Sequence, residues 1–180
     1  MNIFDFLVKQ TVDTYEWTQQ LANGIDKEKW DILPSTLETN ITWQIGHLLM
    51  SNYYHSIIVI NGHDSEVLEK VPLKEYNNLF SGKISTEVLP KNNVGNIDPE
   101  KLHQDLNLIQ KKSIEQISQL KTDDFNAPLE QSKTPHPIAK SKGEALDWNI
   151  KHTMWHCGQI AMLQRVIINK SFDFEAIKNK

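Results

Sequence analysis

Apolar residues recur at helical spacing in four long stretches of the chain. In the first, from about Ile3 to Ala22, Phe4, Leu7, Thr11, Thr14, Thr18 and Leu21 share one face. Threonines dilute the middle of that stripe, so it is weaker than the others. Asn23-Gly24 supplies a stop, because glycine takes the left-handed cap conformation without strain. The second stretch, from about Asn40 to Ile60, places Ile41, Ile45, Leu48, Asn52, Ser56 and Ile60 on one face and ends at Asn61-Gly62. The third opens on Asp98-Pro99, an N-cap followed by proline at the first helical position, and continues through Leu102, Leu106, Ile109, Ser113, Ile117 and Leu120. The fourth runs from about Lys142 to Asn169. The pattern predicts helices near residues 2–23, 40–61, 98–120 and 142–169.

Between these stretches the periodicity breaks. Pro34 and Ser35 interrupt the first connection. From His63 to Asn96, Pro72, Gly82, Pro90 and Gly95 leave room for one short helix around Lys74 to Phe80. A connection of that length inside a domain is often functional, and a lid over a pocket and a disordered flap are both open. Pro128, Pro135 and Pro137 break the stretch before the fourth helix. No alternating run flanked by turn dipeptides signals a strand. The expectation is an all-α four-helix bundle, a single domain over residues 1–180, with long connections between helices two and three and between three and four.

The fourth helix breaks its own pattern. Ala145, Trp148, Asn149, His152, His156, Gln159, Ile160, Leu163, Val166 and Ile167 share one face. Its apolar members mark the face as buried, yet Asn149, His152, His156 and Gln159 occupy its middle. Four polar groups there need partners, water or a ligand.

Composition narrows the function classes. Of 180 residues, 39% are apolar and 23% charged, with a net charge of −4, which gives no general attraction to nucleic acid. No apolar run approaches the length that spans a bilayer. The one cysteine, Cys157, excludes an internal disulfide and suits a reducing compartment. No basic segment precedes an apolar run near Met1, and a cytoplasmic protein is expected.

His152 and His156, four residues apart, stack on one side of the helix, where both can reach one ion. Two satisfied core histidines are the plain alternative. The residue after His152 is Thr153, where a helical zinc protease motif carries its glutamate base, so that mechanism is disfavoured. Asn149 replaces the glutamate that a di-iron site requires three positions before the histidine, and neither Glu144 nor Asp147 lies at the centre of the buried stripe. A third ligand must come from elsewhere. His63 and His136 fall in loops, and His103 points off the buried stripe of its helix. On the second helix, His47 is preferred to His55 because Gly46 beside it allows close helix approach.

The segments TWQIGHLLMSN and NIKHTMWHCGQIAMLQR together resemble the two histidine motifs of the DinB-like (DinB/YfiT) superfamily, in the order expected of that family and with a long stretch holding the third helix between them. The resemblance covers essentially the whole chain. It implies a four-helix bundle with one divalent transition metal, zinc or nickel foremost, held by His47, His152 and His156. Gly158 and Gln159 match the residues that follow the third ligand. Cys157 stands where many members carry arginine, and is read as a packing residue. The family's assigned activities imply a low-molecular-weight thiol as cofactor and an S-transferase acting on an electrophilic small molecule. A metal-dependent hydrolase and a non-enzymatic, stress-related metal-binding module are the alternatives. Trp43, Asn149, Trp155 and Gln159 are candidates to touch the ligands or the substrate, although core packing is the preferred role for both tryptophans. The resemblance also implies a homodimer, with Tyr15 and Trp17 expected off the core stripe of the first helix.

Overall fold

The computed structural model describes residues 3–81, 95–132 and 135–170. The first long helix, α1, spans Ile3–Asn23. The second begins as α2 (Ile41–Tyr53), passes through a π-helical segment at Tyr54–Ile58 and ends as the turn α3 (Val59–Asn61). Two short helices follow, α4 (Ser65–Lys70) and α5 (Leu73–Phe80). The third long helix is α6 (Pro99–Ile117) and the fourth is α7 (Lys142–Ile168). Short 3-10 segments at Lys27–Lys29 and Thr122–Asn126 complete the order. Among the described residues the only β-type pairing is an isolated bridge between Pro128 and Ser141.

Of the three N-caps that side chains supply to long helices, the sequence signalled that of Asp98. The Asn40 side chain accepts the Trp43 N–H, Asp98 accepts that of Glu100 ahead of α6, and Ser141 accepts that of Glu144 ahead of α7. Gly62 ends α3 at φ +83°, a left-handed conformation that suits glycine. Gly24 departs from expectation, because its backbone is not left-handed. There the absent side chain makes room for another helix: a Cβ would stand 2.6 Å from Nε2 of Gln164.

The long helices form a ring in which α1 packs on α6 and α7, and α2 packs on the same two. Two apolar clusters fill the ring. The smaller includes Phe4, Leu7, Ile60, Ile117 and Leu146; the larger includes Leu21, Ile45, Leu49, Leu106 and Leu163. Helices α1 and α7 run from the smaller cluster towards the larger, while α2 and α6 run the other way. A parallel α2/α6 pair needs a long return connection, and residues 62–98 provide its length.

A buried polar layer separates the clusters. The Tyr15 hydroxyl lies 3.3 Å from Ser56 Oγ and 3.0 Å from Ser113 Oγ, and accepts from Asn149 Nδ2 at 3.0 Å. Asn52 Nδ2 donates to Asn149 Oδ1 at 3.1 Å and to Thr153 Oγ1 at 2.9 Å. Tyr15 is thus buried, contrary to expectation, and Trp17 packs against the core, so these two aromatics give a homodimer no support. On α1 the core stripe widens to include Tyr15 because its hydroxyl finds partners on three other helices.

Other readings also change. His103 is buried against Trp30, with Lys27 donating to its Nδ1 at 2.8 Å. The chain around Lys27–Lys29 covers α6 there and broadens its buried face. Val166, counted on the buried face of α7, is largely exposed near the end of that helix. The connection after Gly62 holds two short helices where one was expected. Asp64 caps the additional one, α4, by accepting from Val67 N at 3.0 Å. Residues 82–94, where a lid or flap was expected, lie outside the described residues.

Gly46 is where α5 meets α2. A Cβ there would stand 2.4 Å from the Phe80 ring. Gly46→Ala is expected to cost about 1–3 kcal/mol through overpacking. A urea midpoint matching wild type would show that Phe80 yields freely.

Candidate metal centre

His47 comes from α2, while His152 and His156 come from α7. Each offers a ring nitrogen, and the three nitrogens lie within 4.8 Å of one another. The ring centres are 4.6–5.3 Å apart in pairs. Among the described residues this is the one group of three or more potential ligands that converges so closely.

The outer nitrogens are all engaged. His47 Nδ1 is 2.9 Å from the Phe80 carbonyl, which can only accept, so Nδ1 carries the proton and Nε2 the lone pair. Gln44 Nε2 donates to Thr39 Oγ1 at 2.7 Å and to Gln159 Oε1 at 3.0 Å. That fixes Gln44 Oε1 as the acceptor of the His156 Nδ1–H at 2.6 Å, and His156 Nε2 also bears a lone pair. His152 Nδ1 is 2.8 Å from Ser51 Oγ. His152 Nε2 faces His156 Nε2 at 3.2 Å. With His152 donating to Ser51, three lone pairs converge, an arrangement that a cation between them relieves. Hydrogen bonds to the outer nitrogens orient imidazole ligands and fix their tautomers where the partner can only accept. The donor set therefore fits a divalent transition ion.

Burial favours the neutral rings that such an ion needs. It lowers the His47 pKa, with the Phe80 carbonyl acting the other way. Burial and the neighbouring His47 bring His152 down to about 4. Burial, then His47 and His152, bring His156 down to about 3.

Next to the centre lies a cavity of about 540 Å³, whose wall includes His47, Ser51, His55, Ile58, Phe80 and His152. Among the described residues no Asp, Glu, Lys or Arg lines it.

The remaining candidates fall in different places. Trp43 stacks on His47 with ring centres 4.9 Å apart and planes 6° from parallel. Gln159 reaches His156 through Gln44. Asn149 belongs to the polar layer, held by Asn52 and Tyr15. Trp155 is not a core residue: it is 65% exposed, with its ring centre 6.4 Å from that of His152 and 6.2 Å from that of His156. It lies on the flank of α7 that turns away from the bundle. Cys157 is buried with Sγ 3.3 Å from Thr18 Oγ1, and burial pushes its thiol up to about 11. His55 and His136 are not in the converging group; they pair with each other at 2.8 Å. His63 bonds to the Tyr53 hydroxyl.

Gln44, Ser51 and the Phe80 carbonyl were missed in the sequence. Gln44 and Ser51 stand three before and four after His47, so helical spacing could have found both. The Phe80 contact has no local signal beyond Gly46. Gln44→Leu is expected to weaken metal binding about 10–100-fold at unchanged stoichiometry. Zinc titration against a competing chelator measures this; unchanged affinity would mean that Gln44 does not orient His156.

The family model of the DinB superfamily matches residues 10–160, a span that holds all three histidines. The fold is also similar to the crystal structure of a conserved protein from Enterococcus faecalis. The TM-score is 0.68 at 16% sequence identity, covering 94% of this chain and 99% of that one. At that identity the likeness concerns the fold alone. No curated protein matches the sequence.

Proposed function

The chain belongs to the DinB superfamily, and from that premise we propose that it is a divalent-metal-dependent enzyme transferring a low-molecular-weight thiol onto an electrophilic small molecule. The observation that carries this reading is the three-histidine group beside a cavity whose described wall has no carboxylate. A peptide or ester hydrolase of the usual helical zinc type would place a glutamate base there.

His47, His152 and His156 would hold the ion, zinc or nickel first. Such an ion, with a position left open, lowers the pKa of a coordinated water or thiol. The chain's own residues supply the rest. The Phe80 carbonyl and Gln44 hold His47 and His156 in orientation and tautomer, and Ser51 orients the His152 ring. Met50, Ile58 and Phe80 give the cavity part of an apolar wall. Its volume of about 540 Å³ is that of a small-molecule site. Thiol transfer needs little from the protein beyond this, because the thiolate is itself the nucleophile.

The test loads the metal-free protein with zinc, nickel or manganese and measures conjugation of an aryl chloride, in which the S–C bond forms as chloride leaves. Glutathione, bacillithiol and simpler thiols are compared, with His47→Ala as the control. Activity is expected to vanish on chelation, to return with metal and to discriminate among thiols. If no thiol exceeds the control while the loaded protein hydrolyses an ester or amide, the hydrolase reading replaces this one. If both reactions stay at background with metal bound, a non-enzymatic metal-binding module is the better account.

A further inference from the structure

A second histidine pair stands beside the three-histidine group. His55 lies in the π-helical segment and His136 in the connection before α7. His136 Nδ1 accepts two backbone N–H groups, from Ile138 at 3.2 Å and from Ala139 at 2.8 Å. Two donors aimed at one ring nitrogen require a lone pair there, so His136 carries its proton on Nε2. That proton is donated to His55 Nδ1 at 2.8 Å. His55 Nδ1 therefore holds a lone pair, and the ring's one proton is on Nε2. Protonating Nδ1 of His55 would set two N–H groups against each other. Two backbone amides thus fix both tautomers in series and keep His55 a neutral donor.

His55 is on the wall of the same cavity as His47 and His152, with its ring centre 5.8 Å from that of His152. Among the described residues the side-chain hydrogen bond of the His55 ring is the one at Nδ1, which leaves Nε2 as the ring's donor. The charge of the site is equally one-sided. Three neutral imidazoles around a divalent ion leave both positive charges uncompensated, and the described wall offers no Asp or Glu. A ligand that brings its own negative charge is favoured there. The described wall adds the polar groups of Ser51, Tyr53, Tyr54 and Asn77 but no lysine or arginine, so it suits a singly charged carboxylate better than a phosphate, whose higher charge calls for cations.

Resting on the metal-site reading above, we propose that the cavity is a binding site for a carboxylate-bearing small molecule, one of whose oxygens accepts the Nε2–H of His55. His55 is then a specificity-determining residue, and His136 a positioning residue that acts through it.

The experiment uses the zinc-loaded full chain. Calorimetric titration compares two carboxylates, phenylacetate and mercaptoacetate, with their neutral counterparts, phenylacetamide and 2-mercaptoethanol. The carboxylates are expected to bind roughly tenfold tighter, the loss typical of one charge-assisted hydrogen bond when it is removed. His55→Leu should abolish most of that preference. His55→Gln, whose amide N–H can stand where Nε2 stood, should keep it. Both variants should still bind one zinc. Nitrogen-15 spectra of histidine-labelled wild type should show His55 protonated on Nε2, and His136→Leu should mix its tautomers. Absence of a carboxylate preference, its survival in His55→Leu, or an Nδ1-protonated His55 would overturn the proposal. Should His55→Leu fail to fold, the spectra and the glutamine variant still decide. If phenylacetate shows the His55-dependent preference while neither thiol gains from its sulfur, thiol transfer fails and the carboxylate site stands.

Discussion

Replacing His156 with alanine is expected to abolish one-to-one metal binding. His156 is buried, and its Nε2 is one of the three nitrogens that converge. Its loss leaves His47 and His152, two ligands for an ion that takes at least three from protein at such sites. It also leaves Gln44 Oε1, a fully buried acceptor, without the proton it received. The effect on stability separates ligand loss from general damage. In wild type, metal at roughly a thousand times its Kd stabilises the fold by about 4 kcal/mol. For a chain of this size that raises Tm by on the order of 10 °C. In the variant this metal-dependent rise should vanish, whatever the Tm of the metal-free form. His47→Ala and His152→Ala should behave alike, whereas His55→Ala and His136→Ala should keep one equivalent of metal. Elemental analysis and thermal melts with and without zinc are the measurements. A one-to-one complex surviving in His156→Ala would dissolve the assignment, and metal lost in His55→Ala but kept in His47→Ala would move the ligand to the other histidine of the second helix.

The metal-free protein is expected to lose stability steeply between pH 7 and pH 5. Burial lowers the pKa of His47, His103 and His136. Burial and then the charges of neighbouring histidines bring His55 and His156 to about 3, and burial with His47 brings His152 to about 4. The unfolded chain titrates near 6.5. Below that value the unfolded state binds more protons than the folded one, so stability rises with pH in this window. It is fully present above about pH 6.5 and is lost as pH falls towards 3–4. For His55 and His156, which are lowered furthest, the loss between pH 6.5 and 5 is roughly 1–2 kcal/mol each. The depressed carboxylate of Glu66, which its bonds to Lys112 and Lys70 hold at about 2, acts at lower pH and leaves this window to the histidines. Denaturant midpoints at pH 7.5, 6.5 and 5.5 test this, and zinc should move the loss to lower pH by competing with the protons. A midpoint that is flat or rises towards acid would mean that these rings are not held neutral.

The parts of this molecule that periodicity governs were legible. The stripe Ile41, Ile45, Leu48, Asn52, Ser56 and Ile60 is buried as its spacing required. The polar run on α7 proved satisfied in each member, by Asn52, Ser51 and Gln44. The threonines of α1 are buried too, with Thr14 and Thr18 bonded to carbonyls one turn back, so a polar stripe was a core stripe in disguise. What escaped was set by partners remote in sequence. Tyr15 is a core residue only because Ser56, Ser113 and Asn149 meet its hydroxyl. Helix α4 is six residues long, less than two turns, and too short for a period to show. The π-helical segment, which carries His55, leaves no mark that apolar spacing could reveal. The pairing of His55 with His136 joins residues 81 positions apart, and spacing along one helix says nothing about it.

Cys157 gives the proposed chemistry a particular form of safety. Its sulfur is shut in between α1 and α7, and at neutral pH it stays protonated. An electrophile admitted to the cavity would meet no cysteine thiol on its described wall, so turnover would not end in alkylation of Cys157. The same enclosure makes the folded chain its own blank: any thioether formed must have drawn its sulfur from solution, and labelling of Cys157 by a maleimide would count only molecules that have opened.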